Sequence, residues 1–338
     1  MAKMYAGLDV SDKETAICVL SANGDIVLET SAATNAAAIG DVLKPYRRVL
    51  DKVGHESCAK AMWLNRELIR KKWPAICLDA MHTHAALAAN KNKTDRNDAR
   101  GIAEVLCRGI YTTAHVRTEV SQKWRSVLTH RKAILRKRLD LERLTAANLK
   151  LVGGTLVRDG KNWIAKPQAR RRLDSDFVDV INGTIRLIRV LRDEGERLDA
   201  MVMKLADGDP VCRRLMTMPG VGPVTAFSFR CAVDDPYRFS SSRTVAAHFG
   251  LTPRTYQSGE SSYTGHISRR GDSEVRSLLY QSAACVLNIS KSPWRLRLWG
   301  KELAKRKGFK VAAVACARRM AVILHRMWIT ERDFQLVT

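Results

Sequence analysis

An α/β domain, then a helical connector, then a mainly α-helical C-terminal domain is the architecture that this 338-residue sequence predicts. Three observations predict it. Apolar runs of strand length alternate with helical segments over residues 1–118. A long basic stretch follows over 119–206, where Leu128 and Leu135, then Leu144 and Leu151, lie seven apart in a partial heptad pattern. From 207 to 338, helical segments are joined by a Pro/Gly turn and by a stretch rich in Gly, Ser, Thr and Arg. At roughly 150 residues per domain, the length accommodates two domains and a connector.

Taken in order, Met4 to Val10 is a short apolar run ending in a carboxylate, and Thr15 to Leu20 is a second strand. Asn23-Gly24 turns the chain into a third strand at Ile26 to Glu29, since Asn-Gly accepts positive φ. Asn35 to Lys44 reads as a helix ended by Pro45, Val49 to Gly54 as a weak strand, Ala59 to Lys72 as a helix, Ala75 to Leu78 as a buried strand, and Asp95 to Arg108 as a helix. Three hairpin-linked strands followed by helix, strand, helix, strand, helix is the order of an RNase H-like α/β domain. In the connector, Trp124 to Leu151 and Phe177 to Leu205 are expected as long helices, a coiled-coil-like hairpin around an irregular basic segment, Asn162 to Arg172. Beyond it, Gly250 to Asp272 is expected as loop or irregular strand, and Ser273 to Ser290 and Lys301 to Trp328 as helices.

The chain carries 58 Lys+Arg against 34 Asp+Glu, a formal charge of +24. A folded protein this basic is suited to phosphate backbones, where Lys and Arg displace condensed counterions. No apolar run approaches the roughly 18 residues of a membrane span. Met1 to Asp12 has no long apolar core and reads as no secretory signal. The cysteines (Cys18, Cys58, Cys77, Cys107, Cys212, Cys231, Cys285, Cys316) form no CxxC pair and sit in apolar stretches, which argues against a zinc or disulfide framework. A reducing cytoplasm is the compartment expected.

Four acids are the candidate chemistry. Asp9 ends the first strand, Glu56 follows the fourth, and Asp95 and Asp98 sit one helical turn apart at a helix start. In the proposed topology they converge at one end of the sheet. Carboxylates at close range need a counter-charge, which a hard divalent cation such as Mg²⁺ supplies while keeping sites for phosphate oxygens. Two such ions stabilise the attacking and leaving oxygens of a phosphodiester displacement. Singly, each acid has a plainer reading: Asp9 as a turn acid, Glu56 as a charge on a helix dipole, Asp95 or Asp98 as a cap.

A second set lies in the C-terminal part. Ser258, beside Gly259, is a candidate nucleophile on a tight turn, with Arg254 placed to bind the phosphate that it attacks. Tyr256 and Tyr263 are capable of the same attack, and most loop serines merely cap turns. Arg269 and Arg270 stand in a basic turn before a helix that Asp272 or Ser273 caps. Gly220 and Gly222, in Met218-Pro219-Gly220-Val221-Gly222-Pro223, are placed to offer backbone N–H groups to a phosphate, or simply to turn the chain between helices. Arg170, Arg171 and Arg172 are further candidates for backbone contact.

Gly7-Leu8-Asp9-Val10-Ser11, Glu56 and Lys93-Thr94-Asp95-Arg96-Asn97-Asp98-Ala99 together resemble the N-terminal DEDD motif of the insertion-sequence-110 family of bacterial transposases. Phe249-Gly250-Leu251-Thr252-Pro253-Arg254, Ser258-Gly259 and Gly265-His266-Ile267-Ser268-Arg269-Arg270-Gly271-Asp272 resemble its C-terminal transposase domain. The resemblance implies a RuvC-like domain, a coiled coil and a small transposase domain. It implies a DNA recombinase working through a circular intermediate and guided by a noncoding bridge RNA that reads donor and target DNA. It implies Mg²⁺ on Asp9, Glu56, Asp95 and Asp98, a covalent bond from Ser258 to DNA, and dimers that assemble to a tetramer, the site being built from two subunits. One departure is Gln257, where many members carry serine before the Ser-Gly pair. Two other readings of the residues remain open: a metal-dependent nuclease or junction resolvase using water as nucleophile, and a nucleic-acid-binding protein with a degenerate acid site.

Overall fold

Short apolar runs closed by polar turns build the first sheet. β1 (Met4–Val10), β2 (Glu14–Ser21) and β3 (Ile26–Ala33) run antiparallel, and Gly24 at φ 92° closes the β2–β3 turn. β4 (Leu50–Glu56) and β5 (Ala75–Leu78) extend the sheet in parallel on the other side of β1. The order β3-β2-β1-β4-β5 is the RNase H-like arrangement that the element sequence predicts. This computed structural model describes residues 3–87, 94–159, 162–165, 175–259, 261–289 and 294–336.

The sheet is covered on both faces. α1 (Ala36–Leu43) and α2 (Ala59–Arg70) bury Ile39, Leu43, Leu64 and Leu68 against Ala6, Leu8, Ile17 and Val19. The other face takes α4 (Asp95–Cys107), whose Ala99 and Ala103 pack on Cys18 and Leu20. Between β5 and α4 lies a helix not expected from the sequence, α3 (Ala80–Leu87). The Asp79 carboxylate starts it by accepting from the amides of Met81 and His82.

The chain divides into two compact units, Met1–Arg117 and Thr118–Thr338. The second begins with α5 (Glu119–Leu151), which starts earlier than Trp124 because the Thr118 hydroxyl caps it by accepting from Ser121 N. α5 runs antiparallel to α6 (Ser175–Gly208): Arg131 pairs with Asp199, Gly195 lies on Ile134 and Leu135, and Leu149 packs with Ile181 and Ile185. Leu128 is buried whereas Leu144 and Leu151 are exposed, so the leucines seven apart line no single buried seam. β6 (Leu156–Asp159) pairs antiparallel with β7 (Asn162–Ala165), which lies at the start of the segment expected to be irregular. Arg170, Arg171 and Arg172 lie outside the described residues.

α7 (Pro210–Met216), α8 (Pro223–Val233), α9 (Ser242–His248), α10 (Ser273–Asn288), α11 (Arg295–Lys307) and α12 (Phe309–Thr330) enclose a core around Phe227, Phe229, Phe249, Leu279, Met320 and Leu324. Leu128, Val202 and Ala206 of the connector helices join that same core, which makes residues 118–338 one unit. The single helix expected over Lys301 to Trp328 is two, broken at Gly308, whose φ of 83° lies outside the α-helical region. The Gly/Ser/Thr-rich stretch is an exposed hairpin, β8 (Pro253–Ser258) and β9 (Ser261–Ile267). No helix among the described residues is long and apolar enough to cross a membrane.

Candidate active site

Strand register gathers the acids. Glu29, Cys18, Gly7 and Gly54 stand opposite one another across β3, β2, β1 and β4. That row faces α4: a Cβ on Gly7 would overlap the Ala99 carbonyl and the Ala103 amide, and one on Gly54 would meet Leu106 at 2.7 Å. Only glycine admits a helix this close to a strand. Asp9 and Glu56 lie two residues beyond Gly7 and Gly54, so the period of two directs both to the α4 face at the C-terminal edge of two parallel strands. Cys107, at the far end of α4, reaches the Ser21 and Ala22 carbonyls near the start of β1. α4 is therefore antiparallel to β1, and its first turn, with Asp95 and Asp98, returns to the edge where Asp9 and Glu56 stand. The structure thus places all four sequence-predicted acids at one edge.

Two supports were not legible in the sequence. The Glu29 carboxylate, 6% accessible, takes Arg96 Nε at 2.7 Å and Arg100 Nε at 2.8 Å, clamping the first turn of α4 to β3. Burial alone would raise the Glu29 carboxyl, but the two guanidiniums outweigh it and hold it below the ordinary range. On the opposite face, His55 is fully buried, with Nε2 2.9 Å from Asn65 Oδ1 and Nδ1 3.0 Å from the Glu56 carbonyl. Burial lowers its pKa, and the ring ties the backbone that carries Glu56 to the Asn65 side chain of α2. The one available signal was Gly7 inside a strand pattern, which marks close backbone approach.

Among the described residues, no group of three or more His, Cys, Asp or Glu side chains is drawn together closely enough to hold a metal ion. The acids share an edge and a face without forming a closed ligand cluster. Their donor chemistry, hard carboxylate oxygens, fits a hard divalent cation, and a group placed there would counter their mutual repulsion.

Ser258 ends β8 at a turn in which Gly259 has φ 55°, and it is exposed with its Oγ 3.4 Å from Ser261 Oγ. Arg254 is exposed on the same strand, and Arg269 and Arg270 are exposed in the turn after β9. Asp272 caps α10, accepting from the amides of Glu274 and Val275. Gly220 has a packing role of its own: at φ 81°, a Cβ there would strike Ser282 O at 2.8 Å. Gly222 is open and stands at the N-terminus of α8.

Comparison with known proteins agrees with this architecture. The model of a transposase family, DEDD_Tnp_IS110, matches residues 6–152, and that of the transposase IS116/IS110/IS902 family matches 212–299. The chain is 28% identical over 294 residues to the transposase for insertion sequence element IS1111A of Coxiella burnetii, covering 83% of this chain and 78% of that one. It is 33% identical over 158 residues to a probable family 20 transposase of Pseudomonas aeruginosa, covering 44% and 46%. Thermus thermophilus RuvC is similar at 14% identity with a TM-score of 0.26, over 33% of this chain and 99% of that one; so low a score adds nothing to the strand order. Fold and motif define a DEDD transposase with an RNase H-like first unit. The chain belongs to the IS110/IS116 family of insertion-sequence transposases.

Proposed function

We propose that this chain is a recombinase that excises and inserts an insertion sequence, cutting and rejoining DNA through a phosphoserine at Ser258. The observation that carries the reading is the convergence of Asp9, Glu56 and the first turn of α4 on one face and one edge of the sheet. Asp9, Glu56, Asp95 and Asp98 would hold Mg²⁺, which when bound supplies positive charge to the phosphate under attack. Ser258 Oγ displaces a deoxyribose oxygen from phosphorus, the serine proton passing to the departing hydroxyl. The resulting ester conserves the phosphodiester energy, and attack by another DNA hydroxyl reverses the step.

Arg254, Arg269 and Arg270, exposed Gly222 at the N-terminus of α8 and the turn at Gly220 are the proposed backbone contacts of the second unit, with Arg170, Arg171 and Arg172 added from the sequence. The charge of +24 supports binding of two nucleic acids, donor and target DNA and the noncoding bridge RNA that the family resemblance implies. The same resemblance supports dimers assembling to a tetramer.

The test is recombination in cells. The gene is carried with its native flanking DNA on a plasmid, and the junction of abutted element ends is amplified. Wild type is expected to give the circular junction, and Asp9→Ala and Ser258→Ala are expected to give none. Junctions from Ser258→Ala would contradict the phosphoserine and return the water-nucleophile nuclease; junctions from Asp9→Ala would remove the acids from the chemistry.

A further inference from the structure

The hairpin that ends in Ser258 exposes an aromatic pair that its fold does not use. Alternation along β8 puts Arg254, Tyr256 and Ser258 on one face. Tyr263 is the register partner of Tyr256, and Ser261 that of Ser258. The two tyrosine rings stack at 6.2 Å with an interplanar angle of 26°, yet they remain 55% and 64% exposed. They lie over Gly265, where an added Cβ would stand 3.5 Å from each ring. Beside them opens a cavity of about 390 Å³ whose wall carries Arg254, His266 and Arg269.

The cationic wall is set in place by backbone packing. Arg254 Nη2 donates to Ser268 O at 3.1 Å. Arg269 is held at φ 56°, in a turn packed so tightly on residues 248–250 that a Cβ on Gly250 or Gly271 would overlap the opposing backbone. Two exposed stacked rings beside two guanidiniums, that of Arg254 held by the Ser268 carbonyl, match an unstacked nucleobase and its phosphate, because any base offers a π-face and any nucleotide a negative charge. A paired base inside a duplex presents no free face to such rings.

We propose that Tyr256 and Tyr263 form a stacking platform for an unpaired DNA base beside the phosphate that Ser258 attacks, with Arg254 and Arg269 holding that nucleotide's phosphate. The placement rests on Ser258 being the nucleophile, which stands two residues, roughly 7 Å, along the same strand face. The stacking itself does not rest on it.

The test uses the full chain carrying Ser258→Ala, so that no covalent capture contributes. The probe is a DNA duplex with a single-stranded overhang containing 2-aminopurine, whose fluorescence falls on stacking; a blunt duplex and the same overhang in RNA are the controls. Tyr256→Ala with Tyr263→Ala is expected to weaken overhang binding about tenfold or more and to abolish the quenching. Blunt-duplex binding is expected to stay unchanged, and Tyr256→Phe with Tyr263→Phe to keep both signals, since phenylalanine stacks without a hydroxyl. Wild-type binding and quenching in the alanine pair would overturn the platform. So would an equal loss in the phenylalanine pair, or an effect confined to the RNA overhang. A protein–DNA adduct that persists in Ser258→Ala would overturn the nucleophile instead and leave the quenching result standing.

Discussion

Glu29 shows how one residue positions others that are proposed to do the chemistry. Its carboxylate touches none of the proposed reacting atoms, yet through Arg96 and Arg100 it fixes the turn that carries Asp95 and Asp98. Glu29→Gln keeps the shape and removes the charge that both guanidiniums answer. The expected outcome is a cleavage rate about 10- to 100-fold lower, the usual cost of losing an outer partner of a ligand set. A rate equal to wild type, measured on the same DNA, would remove the clamp from the account. The four acids could be proposed from the sequence because their type and spacing are themselves a chemical signal. Glu29 was not, because its partners lie 67 and 71 residues away and only the packing of α4 on the sheet makes them neighbours.

At the scale of elements, α10 and α5 are joined by ion pairs from Asp272 to Arg125 at 2.5 Å and from Glu274 to Lys132 at 2.9 Å. The first of these starts immediately after the Arg269–Gly271 turn, so it anchors the base of the β8–β9 hairpin's return. Burial alone would raise the Asp272 carboxyl; the Arg125 hydrogen bond and charge, with the amides of Val275 and Glu274, outweigh it and hold it below its ordinary value of 3.8. A carboxyl depressed in the folded state contributes stability that is complete above its unfolded pKa and is lost as pH falls through the lower, folded one. Asp272→Asn retains a capping side chain and loses the charge, at an expected cost of about 1–3 kcal/mol near neutral pH. That difference, read from thermal or denaturant unfolding, is expected to close as pH drops below about 3.8. A difference independent of pH would contradict the Arg125 pairing. The elements that sequence reasoning placed best were those with strong periodicity, α2, α4 and the strands of the first sheet. The β8–β9 hairpin was legible only as loop or irregular strand, because Gly, Ser, Thr and Arg carry little alternation of apolar and polar residues. The break at Gly308 escaped it because helix formers stand on both sides and one backbone angle decides the matter.

For the whole molecule, the proposed reacting groups are divided between the two units of the chain. The first unit holds the acids on an RNase H-like sheet, and the second holds Ser258 on an exposed hairpin above a helical core. The family assignment and the fold were both legible from motif order, because short strings such as Thr94-Asp95-Arg96-Asn97-Asp98 combine a helix cap with paired carboxylates. The connector was legible as helical and not in its boundaries, since its packing partners, Val221, Phe227 and their neighbours, are distant in sequence. The central claim is that Ser258 and the acids serve one covalent chemistry. Its most direct measurement incubates the full-length protein with labelled element-end DNA, flanking RNA and Mg²⁺, and resolves the products under denaturing conditions. Wild type and Tyr256→Phe are expected to retain label on the protein, removable by protease, while Ser258→Ala and Asp9→Ala retain none. Label persisting on Ser258→Ala, or free cleaved ends from wild type without any adduct, would contradict the claim.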